Sequence, residues 1–417
     1  MADPADPTFH DPRMRGFRSR ASVESVLNLI EERVARLDSE SVPLTEASGR
    51  VSASEVVSGV DVPGFDRSAM DGYAVRGEET FGADVYSPIP FRIVGRVRPG
   101  KSAPLVVGPG EAAEIATGAP LPEGADSVVR VESTSVIGST VEIIEPTSPG
   151  RHVGARGEDI ARGAIVIGSG RALRPQDLGV LASIGSASVV VVRRPDVTIL
   201  VTGDELVRAG LPLLPGRIAD ANSPMLTALV ARDGGLPRVV GPLPDDRAAL
   251  RDAIEQAARS SDAVLISGGS STGPEDHAPS LLAELGELLV HGVAIRPASP
   301  AGLGWMGRVP VVLLPGNPVS CLCAYDFFAG PVVRRLGGRP PGWPYRPVEV
   351  KLGGKLASVV GRVDYARVRL VEGKAEPMAI AGASILSSTT RADGFVVVPA
   401  DLEGYPAGGS VTVWLYE

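Results

Sequence analysis

The chain has 417 residues, 44% hydrophobic and 22% charged, with 41 basic against 49 acidic side chains and a net charge of −8. This composition excludes wholesale disorder, its length allows about three domains of roughly 150 residues, and no apolar run of about 18 residues spells a transmembrane helix. The acidic balance argues against broad nucleic-acid binding but leaves room for a local anion site, and two Cys are too few for a disulfide framework or a four-Cys zinc site.

Residues 1–20 are polar, carry several Pro and Asp, and read as a disordered tail without the apolar segment of a secretory leader. A cytoplasmic protein with reduced thiols is the simplest reading. Ser22 as N-cap, followed by Val23, Val26, Leu27, Ile30, Val34 and Leu37 at helical spacing, predicts a helix. Leu44 to Val57 reads as a second, short helix. From Asp61 to Arg156 the runs FRIVGRV, PLVVG, SVVRVES and TVEIIE, bounded by Gly and Pro, predict a small β domain. GAIVI and ASVVVVRR resume strand character around a helical RPQDLGVLASI.

Between 196 and 335 strands and helices alternate. VTILVTG, PRVVGPL, DAVLISGG, ELLVHGVAI and VPVVLLPG read as strands. DANSPMLTALVARDGG, DDRAALRDAIEQAARS, Pro279–Gly286 and NPVSCLCAYDFFAGPVVRRL read as helices. This alternation predicts a parallel sheet with helices on both faces. In 345–417, VEVKL, ARVRLV, FVVVPA and SVTVWLYE among Gly-rich turns predict a small β-barrel or sandwich.

Several strand ends carry chemistry. In ISGGSSTGPEDH, Gly268 and Gly269 would let a phosphate approach the backbone, Ser270, Ser271 and Thr272 add hydroxyls, and Asp276 could hold a metal or a water. The same turn also reads as plain strand–helix geometry. VTGDEL delivers Asp204 and Glu205 to that sheet edge, and Asp245 follows PRVVGPL, where helix capping is the competing reading. Three strand ends presenting acids together suit Mg²⁺ and phosphate better than three separate caps. Pro315, Gly316, Asn317 and Pro318 form a rigid turn in LPGNPVS, and PGFDRSAMDGYAVR is a loop dense in acids and aromatics. Cys321 and Cys323 read as small buried residues, and Arg362, Asp364 and Arg367 as a solvated strand face.

Together PGFDRSAMDGYAVR, TGAPLPEGAD, RGEDI, TGDEL, GGSSTGPEDH and LPGNPVS, in that order, resemble the molybdopterin molybdenumtransferases, the MoeA-type enzymes related to the gephyrin E domain, over residues 22–417. The resemblance implies a multidomain α/β plus β fold. An elongated helical domain would span 21–58 and 157–195, an inserted β domain 59–156, a molybdopterin-binding α/β domain 196–340 and a C-terminal β-barrel 341–417. It implies Mg²⁺-dependent insertion of molybdate into adenylylated molybdopterin with release of AMP. The enzyme would be a cytoplasmic homodimer with each site shared between subunits. The molybdopterin adenylyltransferase and molybdoenzymes would be its partners, with no nucleic acid and no membrane. Asp71, Asp159 and Asp276 match catalytic positions. Glu205, Asp245 and Asp276 match metal positions. Thr117, the Gly268–Ser271 turn, Pro315, Gly316, Asn317, Pro318, Arg296 and Arg367 match substrate-binding ones.

This chain departs from the family's lysine-rich KxAxKPGKP stretch, reading GVAIRPASP with Gly292, Arg296 and Ser299 at three lysine positions. Arg67 stands for the usual Asn and offers replacement charge if it points inward, and Ala383 stands for the usual Ser. A catalytically altered paralogue that binds pterin or nucleotide, or acts as a scaffold, is the alternative reading.

Overall fold

The computed structural model describes residues 19–100, 104–271, 273, 276–379 and 384–416. The tail up to residue 18, together with Thr272 and Ala383, lies outside the described residues. Two compact units result, one from residues up to 40, 49–53 and 190–417, the other from 41–48 and 54–189.

Helix α1 (Val23–Arg33) begins where Ser22 Oγ accepts from the Ser25 N–H at 3.1 Å. Its buried Val23, Val26 and Ile30 recur three and four residues apart, so they form one stripe, and that stripe packs into the core of the first unit. Residues 21–58 and 157–195 group together on sequence grounds; α1 lies in the unit that holds the α/β sheet.

In the second unit the helix expected over 44–57 is absent. A single 3₁₀ turn, Leu44–Glu46, and a two-residue strand, Val56–Val57, stand in its place. The β-branched Val51, Val56 and Val57 among serines favour extended backbone over a helix. The expected β domain is a six-stranded sheet made of β1 (Gly72–Val75), β2 (Ile89–Val97), β3 (Glu111–Ile115), β4 (Ser127–Arg130), β5 (Thr134–Ile137) and β6 (Thr140–Ile143). Their order is β4-β1-β3-β2-β6-β5. Strand β1 is buried throughout and comes from within PGFDRSAMDGYAVR, expected to be a loop. Its Gly72 admits close pairing: a Cβ there would lie 1.9 Å from the Val129 carbonyl oxygen. PLVVG contributes only an isolated bridge at Val106. Helix α2 (Pro175–Ser183) falls where expected, with the Asp177 carboxylate accepting from the Arg174 N–H at 2.9 Å.

In the first unit the α/β sheet runs through β7 (Asp196–Thr202), β8 (Leu236–Leu243), β9 (Ala263–Ser267), β10 (Glu287–His291), β11 (Gly302–Met306) and β12 (Val309–Leu314). The order is β8-β7-β9-β12-β11-β10. Four strands are parallel, as expected. Strand β11 runs antiparallel to both its neighbours, β12 and β10, so the sheet is mixed. The tight turn at Met306–Val309 makes β11 and β12 a hairpin, which no helix-length connection could do.

Alternation along the central strands sorts side chains to two faces. Ile199, Val201, Leu265, Val312 and Leu314 pack with α3 (Asn222–Arg232), while Leu200, Val264, Ile266, Val311 and Leu313 pack under α4 (Arg247–Ser260) and α5 (Ala278–Leu285). The helix expected over 317–336 is three pieces. Helix α6 (Pro318–Ala324) passes through a π-helical turn, Tyr325–Ala329, into α7 (Gly330–Leu336).

The C-terminal strands β13 (Arg346–Leu352), β14 (Val363–Val371), β15 (Lys374–Ala379), β16 (Gly394–Val398) and β17 (Ser410–Leu415) form a closed five-stranded barrel. The pairs run β14-β15-β13-β17-β16 and back to β14. Strand β15, KAEPMA, carries too few apolar residues to show in the sequence pattern. The run at 362–367 is not a solvated face: Asp364 is 0% and Arg367 1% exposed.

A buried ionic network sits under the π-helical turn. Arg334, 3% exposed, donates to Asp233 at 2.7 Å, and Arg232 reaches both Asp233 at 3.1 Å and Asp326 at 3.5 Å. Asp233→Ala leaves the Arg334 guanidinium buried without its carboxylate and is expected to cost roughly 3–5 kcal/mol, read as a lower urea midpoint. Burial pushes the Asp326 carboxyl up to about 6, against attraction from Arg232 and the hydrogen bond from Tyr345. A carboxyl raised in the folded state binds its proton more tightly there than when unfolded. Its contribution is therefore present at low pH and is lost as pH rises through about 6. Asp326→Asn is expected to flatten that fall in a pH series of denaturation midpoints.

Candidate functional site

A cavity of about 630 Å³ opens at the carboxyl edge of the α/β sheet. The ends of β7, β9 and β12 form its floor, where ligands of open α/β sheets bind. The sheet brings Glu205, Asp245, Asp276, Gly268, Gly269, Ser270, Ser271 and the turn Pro315–Pro318 to this one place.

Two adjacent acids divide the work after β8. The Asp246 carboxylate accepts from the Ala249 N–H at 2.8 Å and caps α4. Asp245 is therefore free of the capping role that competed for it. Its Oδ1 accepts from Thr202 Oγ1 at 2.6 Å, its Oδ2 from the Asp204 N–H at 3.1 Å, and both residues tie β8 to the end of β7. Asp276 Oδ2 accepts from the Gly273 N–H at 2.5 Å. The Ser270 hydroxyl is committed to the Leu314 carbonyl at 3.1 Å and joins two strand ends. Ser384 Oγ donates to Asn317 Oδ1 at 2.8 Å.

Sequence reasoning missed Asp220, Asn222, Thr202 and Ser267, which also line the cavity. The buried Asp220 accepts from the Asn222 and Ser223 N–H groups, each at 3.0 Å, and so holds the start of α3. The DANS segment was legible only as a helix start. Its place beside the TGDEL turn on the same sheet edge was the available signal.

The lining is acidic. Glu205, Asp220, Asp245 and Asp276 face it, and no Lys or Arg lines it among the described residues. No three His, Cys, Asp or Glu side chains converge as a preformed metal cluster among the described residues. Arg296 is not in the cavity. Its Nη2 donates to the fully buried Asp364 at 2.5 Å, and Ser358 Oγ donates to the same carboxylate at 2.7 Å. Arg367 is buried in the barrel and does not line the cavity either. His277 lies at the start of α5, outside the lining, and Cys321 and Cys323 are buried as expected, with burial pushing the Cys321 thiol up to about 12.

The second unit gathers the first-half motifs. The exposed Asp71 accepts from the Thr117 N–H at 2.8 Å and lines a depression of about 240 Å³ with Arg96 and Arg98. Asp66 and Asp61 hold the RGEDI segment: Asp66 accepts from the Arg156 N–H at 2.7 Å, and Asp61 from Arg156 Nε at 2.7 Å and the Arg162 N–H at 2.8 Å. The Arg162 N–H, then Arg156, hold the Asp61 carboxyl below its ordinary range. Asp159 is exposed, bonds through its N–H to the Val62 carbonyl at 3.1 Å, and does not line the Asp71 depression. Arg67 supplies no free positive charge, since it pairs with Glu158 at 3.0 Å.

These features define a multidomain α/β protein with an acid-lined ligand cavity at a sheet edge and a closed β-barrel at its C-terminus. The family described as MoeA N-terminal region (domain I and II) matches residues 21–185. The probable molybdopterin binding domain matches 198–335, and the MoeA C-terminal region (domain IV) matches 349–416. A molybdopterin molybdenumtransferase 2 of Mycobacterium tuberculosis is 34% identical over 94% of this chain and 99% of its own length. A molybdopterin molybdenumtransferase of Nostoc is 35% identical over 87% and 86%. The crystal structure of a molybdopterin biosynthesis MoeA protein from Pyrococcus horikosii superposes with a TM-score of 0.85 at 35% identity, covering 96% of this chain and all of that one. The chain belongs to the MoeA-type molybdopterin molybdenumtransferase family, enzymes of molybdenum cofactor biosynthesis.

The split between Asp245 and Asp246 is testable. Asp246→Ala is expected to lower stability by about 1 kcal/mol through loss of the cap. Urea denaturation of that variant showing no loss would return the capping role to Asp245.

Proposed function

We propose that this chain inserts molybdate into adenylylated molybdopterin and releases AMP. The observation that carries the reading is the cavity: four carboxylates and no basic side chain among its described lining residues, in a family that handles a polyanionic substrate. A phosphate brought there meets like charge unless cations accompany it. The oxygen-only donor set fits Mg²⁺, which keeps waters and commonly binds through one or two carboxylates plus substrate phosphates. Glu205, Asp245 and Asp276 would hold it, directly or through its waters, and it would supply charge neutralisation for the substrate phosphates.

The chain's own groups do the rest. The backbone at Gly268 and Gly269 lets the diphosphate approach without a side chain in the way. Asp276, anchored through one carboxylate oxygen, keeps the other to accept a proton or orient a water. The Pro315–Pro318 turn supplies a rigid wall of the same cavity. Asp71, Thr117 and Asp159 act on the reacting end from the second unit of another copy of the chain, so the working form is a homodimer. The adenylyltransferase that makes the substrate and the molybdoenzymes that take the product are its partners, in the cytoplasm.

The altered-paralogue reading keeps one specific support: Arg296, the remaining cation of the stretch that is lysine-rich in the family, is held by Asp364 and does not line the cavity. AMP release from adenylylated molybdopterin, measured with and without molybdate and Mg²⁺, separates the two. Release that needs both supports the transferase; binding without release supports the paralogue. Asp71→Asn and Asp276→Asn are each expected to lower turnover by at least about 100-fold. Mixing the two variants should restore about a quarter of the activity if sites are shared across a two-fold dimer, because half the dimers then carry one intact site. No recovery on mixing would place Asp71 and Asp276 in sites that do not cross subunits.

A further inference from the structure

The pairing register of the second unit's sheet brings a cation alongside Asp71. Gly72 on β1, Ile115 on β3 and Val97 on β2 stand in one row. Strand β2 runs parallel to β3 and β1 runs against it, so the next row at that edge is Asp71, Ala116 and Arg98. Side chains alternate between faces, so this row shares its face with Tyr73, Glu114 and Arg96, one row beyond Gly72. Together they line the depression of about 240 Å³, with the small Ala116 between Asp71 and Arg98.

The two arginines differ. Arg96 pairs with Glu114 at 2.6 Å. Arg98 is exposed, and its guanidinium has no ion pair or hydrogen bond among the described residues. By contrast Arg67, Arg76, Arg92, Arg130 and Arg156 of the same unit each hold a carboxylate. Asp71 is committed elsewhere, accepting from the Thr117 N–H at 2.8 Å. The depression thus carries two acids and two arginines, is neutral overall, and keeps one cation unspent.

Resting on the reading above, we infer that Arg98 is a substrate-binding residue, holding a tetrahedral oxyanion in this depression beside Asp71. The acid-lined cavity offers no cation among its described lining residues, and the proposed reaction handles two such anions, molybdate and a phosphate monoester. A planar guanidinium bonds two oxygens of either anion at once. Net charge does not oppose an anion here, as four carboxylates do in the cavity.

The experiment titrates sodium molybdate and AMP separately into the full chain in the presence of Mg²⁺ and reads affinity by calorimetry. Arg98→Gln is expected to weaken binding of at least one of them by roughly tenfold or more. The anion that weakens identifies the group Arg98 holds: molybdate itself, or the phosphate of the nucleotide. Arg98→Lys, which keeps the charge and loses the fork, should recover part of the loss. Arg151→Gln removes one positive charge from the same unit outside the depression and should leave both affinities unchanged. Unchanged affinities in Arg98→Gln, an equal loss in Arg151→Gln, or no binding of either anion by the wild-type chain overturns the inference. AMP release measured on the same wild-type preparation keeps the two readings apart. Release that needs molybdate and Mg²⁺, with affinities indifferent to Arg98, overturns the inference alone. No release overturns the proposed function, and a loss confined to Arg98→Gln then still establishes the oxyanion site.

Discussion

The cavity depends on how tightly backbone packs at the end of strand β7. Gly268, at φ +95°, sits where a Cβ would lie 2.3 Å from the Thr202 carbonyl oxygen. On the other side Gly241, at φ +126°, sits where a Cβ would lie 2.4 Å from the Val201 carbonyl oxygen. Both conformations are open to glycine and strained for any other residue. The last two carbonyls of β7 are therefore gripped from β8 and from the turn after β9 at once. That grip sets where Asp245 meets Thr202 and where the Gly268–Ser271 turn rises. Larger residues at 241 or 268 would push the strands apart and carry the acids with them.

Much of this was legible because the signals are local. Uninterrupted apolar runs such as VTILV and AVLIS, each buried along its length between two helix layers, announce central parallel strands. The acids that follow them must then arrive at one edge. The failures have physical reasons too. Strand β1 hid because its pairing relies on Gly72, a residue that normally argues against a strand. Strand β11, GLGWM, hid for the same reason: a Cβ at Gly304 would lie 2.1 Å from the Glu287 carbonyl oxygen, so glycine is what lets β10 and β11 pair. The choice between Asp245 and Asp246 turns on which of two neighbours reaches Ala249, a distance no pattern encodes. Arg296 and Arg367 were matched to anion-binding positions because they are cations in the right order along the chain. Tertiary packing instead gave Arg296 a buried carboxylate and placed Arg367 inside the barrel.

Charge decides what this site can do. A lysine pointed into a cavity binds an oxyanion directly; four carboxylates without such a residue repel it. The stretch where the family carries lysines has here turned its one cation toward Asp364, which is 0% exposed and would be costly to leave unpaired. Arg296 is therefore tied to a buried carboxylate that Arg362 also approaches, at 3.3 Å. On the proposed reading, anion affinity in the cavity comes from backbone N–H groups at the glycine turn and from a divalent cation carried with the phosphates. On that reading the metal is a precondition of anion binding, and affinity for the anion should track the occupancy of the cation. Discrimination falls to the neutral groups, since carboxylates answer any cation alike.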